Sequence, residues 1–196
     1  GYARSNGTAM EGAEYTVTSS TLTFDAVDTT RTFTVPVLAN SLDKANETAA
    51  VTLSNANNAT ISDATGTLAI TGDDSTPSLS INDVTTSNEN AANSTFTATL
   101  SAASGQTVTV DYASSNGTAT AGADYTVTSG TLTFAAGDTT KTFTVPVLAD
   151  SLAEANETAA LTLSNANNAT ISDATGTLTI TDDDSTPSLS IHDVTT

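Results

Sequence analysis

An internal repeat constrains the fold of this chain more than any other feature. Residues 1–86 return as residues 111–196, offset by 110 positions, and the two segments differ at 16 positions. A self-similar unit of this size is itself a typical domain, so the chain is expected to hold domains in series. We predict a partial repeat at 1–74, a complete repeat at 78–184, and the first strand of a following repeat at 187–196.

Apolar residues alternate with threonine along most of the complete repeat. The alternation is clear at 131–134, 142–145 and 177–181, where threonine holds every second position. A period of two with β-branched residues indicates half-buried strands, and turn signals such as Asn116-Gly117 separate them. About seven strands in a repeat of about 107 residues predict an all-β fold, an immunoglobulin-like antiparallel β-sandwich, repeated in tandem.

Pro146 interrupts the strand pattern at 143–147. Proline cannot donate a hydrogen bond to a neighbouring strand, so within sheets it is confined to edge strands and bulges. We therefore predict an edge position or a bulge at this point of the sandwich.

The first copy begins inside the strand that corresponds to 108–112. It lacks the residues that form the first two strands of the complete repeat, so about half of its core is expected to be exposed. Either this copy is incompletely folded, or a strand from elsewhere fills the gap. The segment 188–191 of another molecule is a physically sensible donor, because an extended segment can add to an exposed sheet edge.

The chain is strongly acidic and contains no cysteine. Twenty-two carboxylates face four basic residues, which gives a formal net charge of −18. With so few basic residues, nothing is available to neutralise phosphates, which excludes nucleic acid as a partner and disfavours binding to anionic membranes. No apolar run is long enough for membrane insertion. The absence of cysteine excludes disulfides and thiolate metal sites. Such a charge opposes compaction unless counter-ions sit among the carboxylates, although acidity also serves plain solubility.

Carboxylates gather at four loops or strand ends of the complete repeat. The loops at one end of a sandwich converge, so these groups are expected to meet. Several carboxylates side by side cannot all stay ionised without a cation. Ca²⁺ accepts about six to eight oxygen ligands in flexible geometry and suits such a set. The four places hold Glu89; Asp124; Asp150, Glu154 and Glu157; and Asp182, Asp183 and Asp184.

Four motifs make the complete repeat resemble the Calx-beta domain family. They read GTATAGADY at 117–125, GTLTFAAGDT at 130–139, VPVLADSLAEANE at 145–157 and ITDDD at 180–184. Calx-beta domains are immunoglobulin-like sandwiches that bind Ca²⁺ at one tip, and they occur in sodium/calcium exchangers, integrin β4 and very large bacterial surface proteins. The resemblance implies that the eight carboxylates just named are calcium ligands, together with the backbone carbonyl of Leu152. Ala149 replaces the first of two adjacent aspartates found in the best exchanger sites, so fewer than four ions are expected.

The first copy changes its acidic loops. Asn40 replaces Asp150, Lys44 replaces Glu154 and Gly72 replaces Asp182. Over matched residues 1–77 and 111–187, the formal charge is −6 (9 acidic, 3 basic) against −9 (10 acidic, 1 basic). Lys44 can stand in for a lost cation by pairing with the remaining carboxylates. We expect this tip to bind Ca²⁺ more weakly, through Glu14 (in place of Asp124), Asp43, Glu47, Asp73 and Asp74.

No catalytic constellation accompanies the acidic loops. His192 is the single histidine and lies in the last segment, so a Ser-His-Asp site cannot be assembled in each repeat. We expect no enzyme. The sequence predicts calcium-binding extender repeats of a large secreted bacterial surface protein or adhesin, located outside the cell, with neighbouring repeats of the same chain as partners. The alternatives are a regulatory calcium sensor and a calcium-free acidic spacer.

Overall fold

The computed structural model describes residues 1–17, 19–91 and 93–194. These residues form strands and no helix, which confirms the predicted all-β fold. The described part of the chain accordingly holds no helix able to cross a membrane. The chain divides into two compact units, Gly1–Ser75 and Thr76–Thr196, called below the first and the second unit.

The strands follow the repeat. The first unit contains β1 Tyr2–Asn6, β2 Glu47–Leu53 and β3 Thr65–Ile70, and the second contains β4 Ser78–Ile81, β5 Val84–Thr85, β6 Ser94–Leu100, β7 Val108–Asn116, β8 Ser129–Phe134, β9 Thr140–Val145, β10 Glu157–Asn167, β11 Thr170–Ile171 and β12 Thr175–Ile180.

The second unit is a sandwich of two sheets. One sheet has the strand order β5-β12-β10-β7-β8, and the other has the order β11-β4-β6-β9. Two short pairs, β11 with β4 and β5 with β12, are parallel, and the longer pairs are antiparallel. Every strand predicted from the alternation is present, and the two-residue strands β5 and β11 are additional. The predicted immunoglobulin-like sandwich is confirmed.

Alternation along the strands determines the core of this unit. On β12, Leu178 and Ile180 are buried, whereas Thr177 is exposed and Thr179 is half-buried. Phe143 stacks on Phe96 of the neighbouring strand β6 at 5.6 Å between ring centroids, and on Tyr112 of the facing sheet at 4.0 Å. Each such aromatic pair adds about 0.5–1.5 kcal/mol beyond the burial of area, so Phe143 helps to hold the two sheets together.

The chain after β9 leads to the acidic end of the sandwich. β9 ends at Val145, directly before Pro146, and it is an edge strand. The edge position predicted from this proline is therefore confirmed. The Pro146 carbonyl accepts a hydrogen bond from the Thr126 amide at 2.9 Å, and the Leu148 amide donates to the Asp124 carbonyl at 2.9 Å. These bonds fix the start of the long loop before β10 against the turn that carries Asp124.

The first unit contains one three-stranded antiparallel sheet, in the order β1-β2-β3. The segments 19–24 and 30–35, which correspond to β8 and β9, form no strand. Leu53 is 38% exposed, whereas its counterpart Leu163 is 2% exposed. The apolar face that β4 and β6 cover in the second unit therefore lies open in the first.

Arg4 holds part of the first unit together where strands are absent. Its guanidinium donates hydrogen bonds to the carbonyls of Thr16 at 2.9 Å and Thr34 at 3.1 Å. It also lies 5.8 Å from the ring centroid of Tyr2, which stacks on Phe33 at 4.2 Å. The counterpart of Arg4 is Ser114, so this attachment is particular to the first copy.

Residues 187–194 are exposed and carry no regular secondary structure. Leu189 and Ile191 are 103% and 95% exposed, and His192 is exposed as well. This segment repeats 77–84, which contributes β4 and β5, but it forms no strand in the described part of the chain. Thr195 and Thr196, also predicted to belong to this strand segment, lie outside the described residues. A strand needs a neighbour for its backbone hydrogen bonds, and the described residues provide none here.

Candidate metal centre

Four segments of the second unit meet at one end of the sandwich. They are the connection after β5, the turn at 120–125, the loop between β9 and β10, and the residues after β12. The Thr181 hydroxyl donates to the Thr86 carbonyl at 3.0 Å, and the Thr181 amide donates to the Thr86 hydroxyl at 3.0 Å. We call this end the second tip; it carries the predicted side-chain ligands of the complete repeat.

Glu89, Asp182 and Asp184 form the first carboxylate cluster of the second tip. One oxygen from each lies within 4.8 Å of the others. Glu89 is 7% exposed, and neither its Oε1 nor Oδ2 of Asp184 has a hydrogen-bond donor among the described residues. Proton sharing with Asp184, followed by burial and the charges of Asp150, Asp184 and Asp182, raises the pKa of Glu89 to about 7. Buried carboxylate oxygens without donors are costly, so this cluster requires either a proton or a cation.

Asp124, Glu154 and Glu157 form the second cluster, again with one oxygen from each within 4.8 Å. The Thr120 amide donates to Asp124 Oδ2 at 2.6 Å and fixes that carboxylate within its turn. Desolvation raises the pKa of Glu154, and the charges of Asp150, Asp124 and Asp182 add to it. Desolvation also raises the pKa of Glu157, followed by its hydrogen bond with Asp124. This cluster too favours a bound positive charge.

Asp150 connects the two clusters electrostatically. Its negative charge contributes to the raised pKa of Glu89 in the first cluster and of Glu154 and Glu157 in the second. Its Oδ1 accepts a hydrogen bond from the Leu152 amide at 2.6 Å, which folds the loop back on itself. The carboxylates of the second tip therefore act on one another as a single charged site.

Asp183 and Leu152 are placed differently from the other predicted ligands. Both oxygens of Asp183 accept hydrogen bonds from Asn90 Nδ2, at 3.2 and 3.0 Å. Leu152 is 63% exposed, and its amide rather than its carbonyl contacts a predicted ligand. Neither residue belongs to the two groups of clustered carboxylates, and their assignment as ligands stays a prediction.

Two asparagines that sequence reasoning did not single out shape the second tip. Asn90 binds Asp183, and Asn156 Oδ1 accepts a hydrogen bond from the Asp182 amide at 3.2 Å. Asn46 makes the corresponding bond to the Gly72 amide at 3.1 Å in the first unit. The sequence did carry a signal, because asparagine is kept at 46 and 156 while the acidic residues around it change.

A lysine supplies the positive charge at the corresponding end of the first unit, called the first tip. Lys44 Nζ forms an ion pair with Glu14 Oε1, and the Met10 amide donates to Glu14 Oε2 at 2.7 Å. The bond from Lys44, followed by the bond from Met10, holds the pKa of Glu14 below its usual range although burial opposes this. The predicted pairing of Lys44 with a remaining carboxylate is confirmed, and both Glu14 oxygens are engaged by it and by Met10.

Gly72 allows the loop that carries Lys44 to lie close to the end of β3. A β-carbon at residue 72 would overlap the Lys44 carbonyl oxygen. The counterpart of Gly72 is Asp182, which carries a carboxylate into the second tip, and the counterpart of Lys44 is Glu154. The substitutions at positions 44 and 72 are therefore coupled, because the loop that carries Lys44 can take its position only when residue 72 has no side chain.

The other candidates of the first tip surround a cleft of about 430 Å³. Glu47, Asp73 and Asp74 line this cleft together with the Lys44–Glu14 pair, and Asp43 is buried. Within the described residues, no three carboxylates of the first unit come as close together as those in the two clusters of the second tip.

The donor set of the second tip suits a hard divalent cation. Both clusters consist of carboxylate oxygens, and Ca²⁺ is bound by such oxygens in flexible geometry. Lys141, the single lysine of the second unit, pairs with Asp138 at 2.8 Å rather than with either cluster. The orphaned oxygens of Glu89 and Asp184 thus have no compensating basic side chain.

Comparison with solved structures shows the same fold. A structure described as the apo-form Calx CBD1 domain matches with a TM-score of 0.53 and 23% identity, over 56% of this chain and 100% of that one. A structure described as the calcium binding domain CBD12 of CALX1.1 matches with a TM-score of 0.51 and 24% identity, over 54% of this chain and 46% of that one. No curated protein sequence matches the chain.

The model of the family described as the Calx-beta domain matches the chain twice, at residues 1–75 and 72–184. The two matches follow the internal repeat and together span nearly the whole sequence. The chain belongs to the Calx-beta domain family.

Proposed function

We propose that the chain is a calcium-stabilised extender segment of a large secreted surface protein, and that its second tip binds Ca²⁺. One observation carries the proposal: buried oxygens of Glu89 and Asp184 lack donors in a carboxylate cluster that has no basic side chain paired with it. A divalent cation supplies the missing charge and the missing coordination at once.

The two clusters define the proposed ligands. Glu89, Asp182 and Asp184 hold one ion, and Asp124, Glu154 and Glu157 hold a second, with Asp150 between them. Two ions agree with the expectation of fewer than four. The first tip binds Ca²⁺ weakly or not at all under this proposal, because Lys44 already neutralises Glu14.

The proposed mechanism is linkage between binding and folding. Ions that bind only the folded state stabilise it by RT ln(1 + [L]/Kd), which is about 2.7 kcal/mol when calcium exceeds Kd a hundredfold. Outside cells calcium is abundant enough for weak sites to be filled, as in extracellular modules with Kd of about 10⁻⁴ to 10⁻³ M. Calcium then holds together four loop segments whose carboxylates repel one another without it.

The proposed setting is the surface of a bacterial cell, as part of an adhesin. The near identity of the copies supports a role in lengthening the protein, because an array of similar domains forms an extended structure. The absence of cysteine agrees with large bacterial surface arrays. Three residues, Ser75, Thr76 and Pro77, separate Asp74 from β4, which favours neighbouring repeats as the partners of each tip. The proposed role is binding and structural rather than catalytic.

A regulatory calcium sensor is the second candidate. Like the extender, it agrees with the likeness to a structure described as a calcium binding domain. A sensor must change conformation when calcium binds, whereas an extender needs only to become stiffer and more stable. The third candidate, a calcium-free acidic spacer, predicts no response to calcium.

Thermal unfolding of the full chain in calcium, in magnesium and in EDTA tests the proposal. We expect calcium to raise the melting temperature of the second unit by several degrees relative to EDTA, with a smaller effect of magnesium. The E154Q/E157Q variant should lose the part of this shift that the second cluster contributes, and the matched first-unit variant E47Q should keep the whole shift. An equal melting temperature in calcium and EDTA would exclude calcium-dependent stabilisation.

Small-angle scattering separates the extender from the sensor. An extender keeps its overall dimensions in calcium and in EDTA, while its flexibility decreases when calcium binds. A calcium-dependent change to a different compact arrangement would instead favour the sensor.

A further inference from the structure

Asn156 lies at the point where the pairing between β10 and β12 stops. The last backbone pair of the two strands at this end joins Glu157 to Ile180. Just beyond that pair, the Oδ1 atom of Asn156 accepts a hydrogen bond from the Asp182 amide at 3.2 Å. A backbone amide beyond the end of a ladder needs an acceptor from elsewhere, and here a side-chain carbonyl supplies it.

The first unit repeats this bond, although the side chains around it differ. The last pair of β2 and β3 joins Glu47 to Ile70, and Asn46 Oδ1 accepts a hydrogen bond from the Gly72 amide at 3.1 Å. Glycine contributes no side chain at residue 72, so the bond forms whether or not a carboxylate is present there. The asparagine therefore acts on the backbone of the residue that it binds.

In the second tip, this bond joins the two carboxylate clusters. Asn156 lies between Glu154 and Glu157, which belong to the second cluster, whereas Asp182 belongs to the first. Oδ1 of Asp182 in turn accepts a long hydrogen bond from the Asp184 amide, at 3.4 Å. Two carboxylates of the first cluster are thus held through a neutral side chain that belongs to neither cluster.

Repulsion among the carboxylates gives this bond its importance. One oxygen from each member of the first cluster lies within 4.8 Å of the others, and like charges at such distances push apart the segments that carry them. Asp182 follows the end of β12 and is not part of a strand. Thr181 is attached to Thr86 through its amide and its hydroxyl, and the next amide, that of Asp182, is attached to Asn156.

We propose that Asn156 is a positioning residue for the calcium ion of the first cluster. Its side-chain carbonyl holds the Asp182 backbone so that the carboxylates of Asp182 and Asp184 meet that of Glu89. Asn156 acts through Asp182 and is not itself a ligand. This inference rests on the proposed function, because it concerns the affinity of that same site. Residues that orient metal ligands change metal affinity about tenfold to a hundredfold when they are replaced.

Nuclear magnetic resonance of the full chain during a calcium titration tests this role, because each cluster reports through its own amides. In N156A we expect the calcium concentration at half-saturation to rise about tenfold at the first cluster, read at Asp184, and much less at the second, read at Asp124. N156D keeps a side-chain oxygen that accepts the same bond, so it should restore at least the parent affinity. The matched variant N46A should leave both clusters of the second tip unchanged.

Three results would overturn the role of Asn156. One is an N156A variant that keeps the parent affinity at the first cluster. Another is an equal loss at both clusters, which would make the bond a general support of the fold. The third is an N156D variant that binds calcium more than about tenfold more tightly than the parent, which would mark residue 156 as a ligand.

The parent chain separates this inference from the proposed function. A parent that binds no calcium would overturn both, whereas a parent that binds calcium together with an unaffected N156A would overturn only the role of Asn156. The melting temperature of N156A in EDTA and hydrogen exchange at Ala159 show that the second unit is still folded.

Discussion

At the scale of single residues, one position illustrates how the two copies differ. Residue 44 is lysine in the first copy, and the equivalent residue 154 is glutamate in the second. Lys44 pairs with the buried Glu14, whereas Glu154 faces Asp124 and Glu157. The first tip therefore carries its own positive charge, whereas the second takes up either a proton or a cation from solution.

The Lys44–Glu14 pair should be important for the first unit. Replacing Lys44 with alanine leaves a buried carboxylate that keeps one donor, the Met10 amide. Because breaking a buried pair costs about 3–5 kcal/mol, we expect a loss of about 3 kcal/mol. Native-state hydrogen exchange at Ala49 reports on this unit.

A matched variant, K141A, provides the control for this loss. It breaks the pair with Asp138, whose two side chains are 37% and 36% exposed. Exposed pairs contribute at most about 1 kcal/mol. Equal effects of K44A and K141A on their own units would contradict the special role of Lys44.

Glu89 should have opposite effects on stability and on calcium binding. Its raised pKa of about 7 shows that the ionised form is unfavourable without a cation. E89Q should therefore raise the melting temperature of the second unit at pH 8 in EDTA, while it weakens calcium binding at least about tenfold. Calorimetric titration and thermal melts measure the two effects, and a variant that binds calcium as the parent does would exclude Glu89 as a ligand.

The same carboxyl group predicts a pH dependence. Because the pKa of Glu89 rises from 4.5 to about 7 on folding, the calcium-free folded state holds the proton more tightly than the unfolded state. The stability of the calcium-free second unit should therefore fall as the pH rises through this window. Calcium must displace the proton, so its apparent affinity should fall about tenfold from pH 8 to pH 6. Calcium titrations that give the same affinity at pH 6 and at pH 8 would show that calcium binding does not displace a proton from Glu89.

At the scale of strands, the two copies show that nearly the same sequence forms a strand in one unit and no strand in the other. Residues 131–134 lie in β8, and the identical residues 21–24 form no strand. In the second unit β8 pairs with β7 from Val108 onward, but the first copy begins at the position of Asp111. β9 pairs with β6, which has no counterpart in the first unit. Strand formation at these positions depends on a neighbour more than on local preference.

The aromatic residues of β9 offer a paired test of this dependence. Phe143 is buried between Phe96 and Tyr112, while its counterpart Phe33 is half-buried and stacks on Tyr2 alone. F143A should destabilise the second unit by about 3–5 kcal/mol, as for other buried aromatic residues. F33A should cost the first unit less than half of this. Denaturant titrations with hydrogen exchange as the readout distinguish the units, and equal losses would contradict the weaker packing of Phe33.

Much of the fold was predictable because threonine alternates with buried residues at period two. β5 and β11 were not, since two residues carry no visible period and these strands exist only through their parallel partners. The grouping of acidic loops followed from the convergence of loops in a sandwich. Their division into two clusters did not, because it depends on local hydrogen bonds. Examples are the bond from the Thr120 amide to the Asp124 carboxylate and the bond from the Asp182 amide to Asn156.

At the scale of the whole chain, the repeat keeps its sandwich sequence and changes its tips. Four of the 16 differences between the copies fall on the ligand positions predicted for the complete repeat, and they lie at 14, 40, 44 and 72 of the first copy. The strand segments of the two copies are nearly identical. Under the proposed function, such an array combines repeats of nearly identical strand sequence that differ in their need for calcium.

The central claim is that calcium binds the second tip in preference to the first. Nuclear magnetic resonance of the full chain during a calcium titration tests it directly, because each tip reports through its own amides. We expect large shifts at Asp150, Glu154 and Asp182 at calcium concentrations that leave their counterparts Asn40, Lys44 and Gly72 unchanged. Shifts of equal size at equal calcium concentration in both tips would contradict it.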